Sequence, residues 1–182
     1  MGIELPTKIR EMSETEYRIV SAVFGSTLPY RFRILITNAA GVNGRAFTIP
    51  TSLLSGLLGV SPVAFVSAAL GYLASAINAA YLINVGVDYD ALATTQRRLL
   101  VHETTHVWQG KNSKFALSYV FASLVSQAVH GGGAYSYAPG QPWVSYNVEQ
   151  QASIVEDWFR TGQPSSGPLY PYIVNNVRKG LA

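Results

Sequence analysis

The sequence of 182 residues contains no cysteine. Disulfide scaffolds, cysteine-based zinc sites and thiol nucleophiles are therefore excluded, because each of them needs a thiol. Charged residues are also scarce, at 13% of the chain, where ordinary globular proteins have about a quarter. Apolar residues make up 48%, so a disordered chain kept in solution by its charge is excluded. The length predicts a single domain over residues 1–182.

The chain also lacks a cluster of basic residues. Its net charge is only +3, and its lysines and arginines occur in ones and twos along the sequence. A protein that tracks phosphates needs a basic stripe, so we expect no nucleic acid partner. The first twenty residues mix acids and bases without an apolar core, and we therefore expect no cleaved signal peptide.

The hydrophobic periodicity predicts an α+β fold with a small sheet. The second predicted strand is expected to pair with the first. The third is interpreted either as an exposed edge to which an extended substrate could add or as an interior strand. Asp88 and Asp90 are expected to cap the helix that follows. The predicted strands are Arg31–Thr37, Ala46–Ile49 and Tyr81–Val87, and the predicted helices are Ser13–Phe24, Ala91–Gln109, Ser113–Val129, Asn147–Arg160 and Tyr172–Lys179.

No charged residue occurs between Ala46 and Val87. The middle of this run is rich in alanine, glycine, leucine and serine, and it is long enough to cross a bilayer. One interpretation is a pair of buried helices whose small residues allow close packing. The other is membrane contact through residues 46–87, which the many serines and the missing basic flank disfavour.

Two of the three histidines flank a glutamate in His102-Glu103-Thr104-Thr105-His106, an H-E-x-x-H pattern. Positions four apart lie on one helix face, so the imidazoles of His102 and His106 can reach one zinc ion. Glu103 is rotated by about 100° around the helix and cannot be an equivalent ligand. It is placed to act as a general base on water that the metal activates. The pattern predicts one Zn²⁺ per chain.

A catalytic zinc site needs a third protein ligand and a position open to water. The longer pattern H-E-x-x-H-x-x-G-x-x-H fails, because Gln109 and Asn112 replace its glycine and its last histidine. The acids and histidines left after His106 are His130, Glu149, Glu156 and Asp157.

Glu149 ranks first among these candidates. It begins the run Glu149-Gln-Gln-Ala152, in which the small alanine allows the ligand helix to approach the histidine helix closely. Glu156 ranks second as a ligand, and it is otherwise either a residue of a solvated face or a carboxylate that orients a metal-bound imidazole. His130 ranks behind both. Asp157 is predicted to face solvent and is the weakest candidate.

The loop before the last long helix holds the candidates for stabilising an oxyanion. The sequence does not choose among them, and core packing explains each tyrosine equally well. They are His130, Tyr135, Tyr137 and Tyr146.

Four segments together resemble a family of bacterial zincin-like metallopeptidases, which occur alone or joined to VgrG-type spike and Rhs proteins. The likeness extends over about residues 30 to 160, and its core is the run His-Glu-x-Thr-His-Val-x-Gln. The four segments are Arg45–Ile49, Tyr81–Gly86, Leu99–Gln109 and Tyr146–Phe159.

The resemblance implies a zincin-like fold in which His102, His106 and Glu149 bind zinc and Glu103 is the general base. It also implies an effector or toxin, made in the bacterial cytoplasm and exported by a type VI secretion system to act in the periplasm of a target cell. The partners implied are a VgrG- or Rhs-type delivery protein and an immunity protein.

The expected activity is zinc-dependent hydrolysis of peptide bonds in a peptide or protein substrate. A peptidoglycan or other amide substrate is the rival within the enzyme class. The alternative outside it is a membrane-active or spike-associated binding module with a structural or inactive zinc site.

Overall fold

The computed structural model describes residues 6–39, 44–51, 79–113 and 135–182. Within them the chain is α+β, as expected, with four strands and four α-helices. The strands are β1 (Ile9–Glu11), β2 (Ile34–Thr37), β3 (Phe47–Pro50) and β4 (Tyr81–Asn84). The helices are α1 (Glu14–Phe24), α2 (Arg97–Asn112), α3 (Val148–Arg160) and α4 (Tyr170–Asn175).

The chain divides into two compact units. The first comprises Met1–Arg18 and Pro29–Arg97 and contains the sheet. The second comprises Ile19–Leu28 and Arg98–Ala182 and contains α3, α4 and nearly all of α2. That the chain forms one domain over residues 1–182 stays a prediction.

The sheet has the strand order β1-β2-β4-β3. β2 pairs antiparallel with β1 and parallel with β4, and β3 pairs antiparallel with β4. The expectation that residues 46–49 pair with residues 31–37 is therefore wrong. The reason lies in the buried Asn84, which accepts a hydrogen bond from Thr37 Oγ1 at 2.7 Å and donates one to the carbonyl of Phe47 at 3.3 Å. Asn84 thereby joins β4 to both of its neighbours.

Of the two alternatives for the third predicted strand, the structure shows the interior strand, and the substrate-binding edge is not found along β4. From Tyr81 to Asn84 the strand is paired with β2 on one side and with β3 on the other. Leu82 and Ile83 are fully buried, as in an interior strand. An extended peptide has no free backbone groups to pair with at these residues.

α1 begins with a capping box formed by Ser13 and Glu16. The backbone N–H of Glu16 donates to Ser13 Oγ at 3.2 Å, and that of Ser13 donates to Glu16 Oε2 at 2.8 Å. The Glu16 carboxylate is almost fully buried and also accepts two hydrogen bonds from Arg10, at 2.6 and 2.7 Å. The burial of this charge is offset by a bidentate partner.

The start predicted for the histidine helix, at Ala91, is wrong because α2 begins at Arg97. Residues 89–95 form turns instead. The carboxylate of Asp90 was expected to cap the helix, but it accepts a hydrogen bond from Lys8 Nζ at 2.8 Å. A contact with a residue distant in sequence thus replaces the local cap.

The end of α2 also differs from the prediction, because the helix continues through Gly110 to Asn112. Asn112 Nδ2 donates to the carbonyls of Trp108 at 2.7 Å and Thr27 at 3.2 Å. Trp108 is fully buried, its ring lies 6.4 Å from that of Phe24, and its Nε1 donates to Thr27 Oγ1 at 3.0 Å. These contacts anchor the last turn of α2.

α3 follows the prediction closely. Asn147 is its N-cap and forms a capping box with Gln150, with hydrogen bonds of 2.9 and 3.0 Å. Ala152 and Val155 are fully buried. The cap fixes the first turn of α3, which carries Glu149.

The predicted C-terminal helix is present in two pieces. α4 ends at Asn175, and a separate 3-10 turn spans Val177–Lys179. Between them Asn176, with φ −120° and ψ −64°, leaves the helical range and interrupts the hydrogen-bond ladder.

Two sequence predictions lie outside the described residues. One is the apolar helix over residues 113–129, of which all but Ser113 lie outside, and the other is the central part of the uncharged run, residues 52–78. Membrane contact through residues 46–87 therefore stays a prediction. In the described ranges, none of the helices is both long enough and apolar enough to cross a membrane.

Candidate metal centre

α2 carries polar side chains through a stretch that is buried without interruption from Leu100 to Gly110. Burying a polar group is costly unless a partner satisfies it. A run of buried polar side chains therefore indicates that they are hydrogen-bonded to partners. The buried polar residues of this stretch are His102, Glu103, Thr104, Thr105, His106 and Gln109.

Three of the predicted residues come together between α2 and α3. His102 Nε2 lies 3.3 Å from Glu149 Oε2, and His106 Nε2 lies 3.4 Å from the same oxygen. One ligand atom from each of the three side chains lies within 4.8 Å of the others, and all three residues are buried. The group could therefore bind a metal ion through two imidazole nitrogens and a carboxylate oxygen.

Glu156 lies on the far side of His102 from Glu149. Its Oε2 accepts a hydrogen bond from His102 Nδ1 at 3.1 Å, and its Oε1 accepts two from Arg98, at 2.9 and 2.7 Å. This is the contact that a carboxylate orienting a metal-bound imidazole must make. Because Nδ1 is engaged there, Nε2 is the nitrogen that faces Glu149.

The charges around His102 change its protonation. Burial lowers the pKa of this imidazole, but its hydrogen bonds to Glu149 and Glu156 and the charge of Glu103 outweigh burial and raise the pKa to about 10. Burial raises the pKa of Glu156, yet the bonds from His102 and Arg98 hold it below its ordinary value. A metal that binds His102 must therefore compete with a proton.

Glu103 is 4% exposed and adjoins His102 on α2. Its charge contributes to the raised pKa of His102, so its carboxylate is within electrostatic reach of that imidazole. Its role as a general base stays a prediction.

His106 makes a contact that the sequence analysis did not identify. Its Nδ1 lies 3.0 Å from Oε1 of the fully buried Gln109. The available signal was the spacing, because residues three apart on a helix are neighbours. In the sequence Gln109 replaces the glycine of the longer metal-binding pattern and ends the core run of the resemblance.

Of the loop residues predicted to stabilise an oxyanion, Tyr135 has its ring beside the histidines. Its ring centre lies 6.0 Å from that of His102, at an angle of 45°. His130 lies outside the described residues, so its role stays a prediction.

The hydroxyls of Tyr137 and Tyr146 have other partners. Tyr137 donates to Asp157 Oδ2 at 2.9 Å, and burial together with this bond raises its pKa. Tyr146 donates to the carbonyl of Ala138 at 2.7 Å, a contact within the loop that precedes α3. Asp157 was predicted to face solvent, but its side chain is only 32% exposed. It serves as an acceptor on α3 outside the histidine–glutamate group.

The fold and the site together define an α+β protein with a buried His-His-Glu group able to bind a metal ion. Over 101 residues the chain is 33% identical to the type VI secretion system spike protein VgrG2b of Pseudomonas aeruginosa. The match covers 52% of this chain and 10% of that protein, so the chain spans about a tenth of its length.

No family model matches the chain. No solved structure matches it either. The zincin-like fold expected from the sequence resemblance therefore stays a prediction.

Proposed function

We propose that this chain is a zinc-dependent metallopeptidase of the H-E-x-x-H class with a distant glutamate ligand. The observation that carries the proposal is the convergence of His102, His106 and Glu149 on one buried point. Two histidines and a glutamate form a known ligand set of catalytic zinc sites.

The donor set suits zinc better than the hard cations. Mg²⁺ and Ca²⁺ prefer oxygen ligands, whereas two imidazole nitrogens with one carboxylate favour zinc or another transition metal. Both imidazoles also have their Nδ1 atoms engaged, by Glu156 and Gln109, which leaves both Nε2 atoms directed at Glu149. Preorganised rings of this kind are what a zinc site requires.

Glu103 supplies the acid–base chemistry in this proposal. Zinc in such sites polarises a carbonyl and lowers the pKa of coordinated water to about 7. The Glu103 carboxylate takes the proton from the attacking water and then gives it to the leaving amine. Burial keeps this carboxylate in a medium of low dielectric, where its effect on nearby charge is strong. Tyr135, whose ring lies beside His102, is the first candidate for the oxyanion donor.

The likeness to VgrG2b supports a role as an effector of a type VI secretion system. About half of this chain matches a segment of that spike protein. We infer that this domain is delivered on or with a VgrG- or Rhs-type protein and acts as a toxin in the target cell, in its periplasm. An immunity protein in the producing cell is the partner that such a toxin requires.

A second candidate function draws on the same likeness. Since the similar protein is a spike component, this chain could be a spike-associated binding module in which a metal at the histidine–glutamate group is structural. Such a module binds zinc but hydrolyses no substrate.

The proposal is tested by giving the zinc-loaded protein a peptide library and, separately, purified peptidoglycan, with products read by mass spectrometry. We expect cleaved library peptides, loss of cleavage with a chelator, and its return with added zinc. Release of cell-wall fragments alone would favour the amide-hydrolase rival. No product from either substrate, with one zinc bound, would contradict the enzyme proposal and favour the binding module.

A further inference from the structure

We infer that Gln109 is a positioning residue of the proposed metal site, and that a chain of two glutamine amides fixes which nitrogen His106 offers to the metal. This inference rests on the proposed function. It concerns a residue that binds neither metal nor substrate and acts through His106.

The directions of the hydrogen bonds between the two glutamine amides follow from a backbone carbonyl at one end, because a carbonyl can only accept. Gln151 Nε2 donates to the carbonyl of Trp143 at 3.2 Å, so Oε1 of Gln151 faces the other way. That oxygen accepts from Gln109 Nε2 at 2.8 Å. Gln109 Oε1 is thereby turned toward His106 Nδ1, 3.0 Å away, and this nitrogen must carry the proton.

A second carbonyl fixes the same orientation independently. Gln109 Nε2 also donates to the carbonyl of Val148 at 3.0 Å. If the Gln109 amide were flipped, its oxygen would face both this carbonyl and Gln151 Oε1. Two backbone acceptors, those of Trp143 and Val148, thus specify the Nδ1–H form of His106, whose Nε2 then presents its lone pair toward Glu149.

The amide chain also links the two ligand-bearing helices. Val148 immediately precedes Glu149 on α3, and Gln151 follows it by two residues. Gln109 therefore holds the turn that carries Glu149 as well as the ring of His106. Both glutamines are buried, so water cannot readily replace their hydrogen bonds.

The two imidazoles are held by acceptors of different charge. His102 donates to the carboxylate of Glu156, which is paired with Arg98, whereas His106 donates to a neutral amide. A neutral acceptor orients the ring without adding negative charge beside Glu149. This arrangement predicts that Gln109 fixes the ring orientation and the tautomer of His106 and adds no charge to the site.

The test compares Gln109→Met, which has similar length but lacks the amide, with Gln109→Glu, which keeps an acceptor for His106. Thr105→Val is the matched control, since it removes another buried hydrogen bond of α2, to the carbonyl of Val101 at 2.8 Å. Zinc affinity is measured by competition with a chromophoric chelator. The His106 tautomer is measured in the zinc-free protein by long-range ¹H–¹⁵N NMR.

We expect Gln109→Met to bind zinc about 10- to 100-fold more weakly and to lose the Nδ1–H form of His106. Gln109→Glu should keep that form, because one carboxylate oxygen still accepts from His106 Nδ1, although its other oxygen then faces the Val148 carbonyl and Gln151 Oε1 without a donor. Thr105→Val should change neither the tautomer nor the zinc affinity. Wild-type affinity in a folded Gln109→Met variant, or an Nε2–H tautomer in the wild-type protein, would overturn the inference. The tautomer is measured on the wild-type protein without zinc, so it tests the amide chain whether or not the protein binds zinc. A wild-type protein that binds no zinc would overturn the proposed metal site, not the amide chain.

Discussion

Replacing Glu103 by alanine is expected to abolish hydrolysis and to leave the bound zinc in place. General acid–base catalysis by a positioned side chain contributes about 10²- to 10⁴-fold. The variant should therefore lose at least about a hundredfold in kcat/KM. Its metal content should stay at the wild-type level, because Glu103 is not a member of the histidine–glutamate group. The measurements are peptide turnover and zinc content on the same preparation.

The control for this prediction is Asp157→Ala. Asp157 is an α3 carboxylate that accepts from Tyr137 outside the metal group, and its removal should leave both activity and zinc unchanged. Glu103→Gln removes the charge of the buried carboxylate at nearly constant shape and should be as inactive as Glu103→Ala. Activity retained in both Glu103 variants would contradict the mechanism.

Zinc affinity is expected to fall steeply as the pH is lowered. With its pKa raised to about 10, His102 is protonated in the metal-free protein throughout the neutral range, and zinc must displace that proton. One displaced proton lowers the affinity by about tenfold per pH unit below pH 10. Between pH 9 and pH 7 the change is about a hundredfold, and calorimetry in buffers of different ionisation enthalpy counts the proton released.

The variant that checks this prediction is Glu156→Gln. It removes one of the two carboxylates that raise the pKa of His102, so zinc affinity should become less dependent on pH in the upper part of this range. A wild-type affinity that does not change between pH 7 and pH 9 would contradict the assignment of His102.

The proton on His102 also makes the stability of the metal-free protein depend on pH, with a trend opposite to that of the zinc affinity. A histidine whose pKa is raised by folding contributes its full stability below the unfolded pKa of about 6.5 and loses it as pH rises toward the folded pKa. The metal-free protein should therefore become less stable between about pH 6.5 and pH 10, while its affinity for zinc increases. The two opposite trends share one cause, the proton on His102.

The sequence predicted the parts of the site that depend on helical periodicity and on the small number of acidic residues in the chain. His102 and His106 lie one turn apart on a helix, so their common face follows from helix geometry alone. Glu149 could be singled out because few acids follow His106 in the sequence. The capping box of α3, formed by Asn147 and Gln150, is also local.

The parts that the sequence did not predict depend on partners distant along the chain. Asp90 was expected to cap α2, but it pairs with Lys8, 82 positions earlier. The Asn84 side chain bonds to both strands that flank β4, and the hydrophobic periodicity of the sequence does not indicate which strands these are. Gln109 gains its role only because α3 brings Gln151 to it.

The central claim, that His102, His106 and Glu149 form a zinc site, is tested most directly by zinc content. Elemental analysis is made side by side on wild type, Glu149→Ala and Asp157→Ala, each reconstituted with zinc and passed over a desalting column. We expect one zinc per chain in wild type and in Asp157→Ala, and loss or strong weakening of zinc binding in Glu149→Ala. Wild type without zinc after reconstitution, or Glu149→Ala that keeps its zinc as tightly as wild type does, would contradict the account.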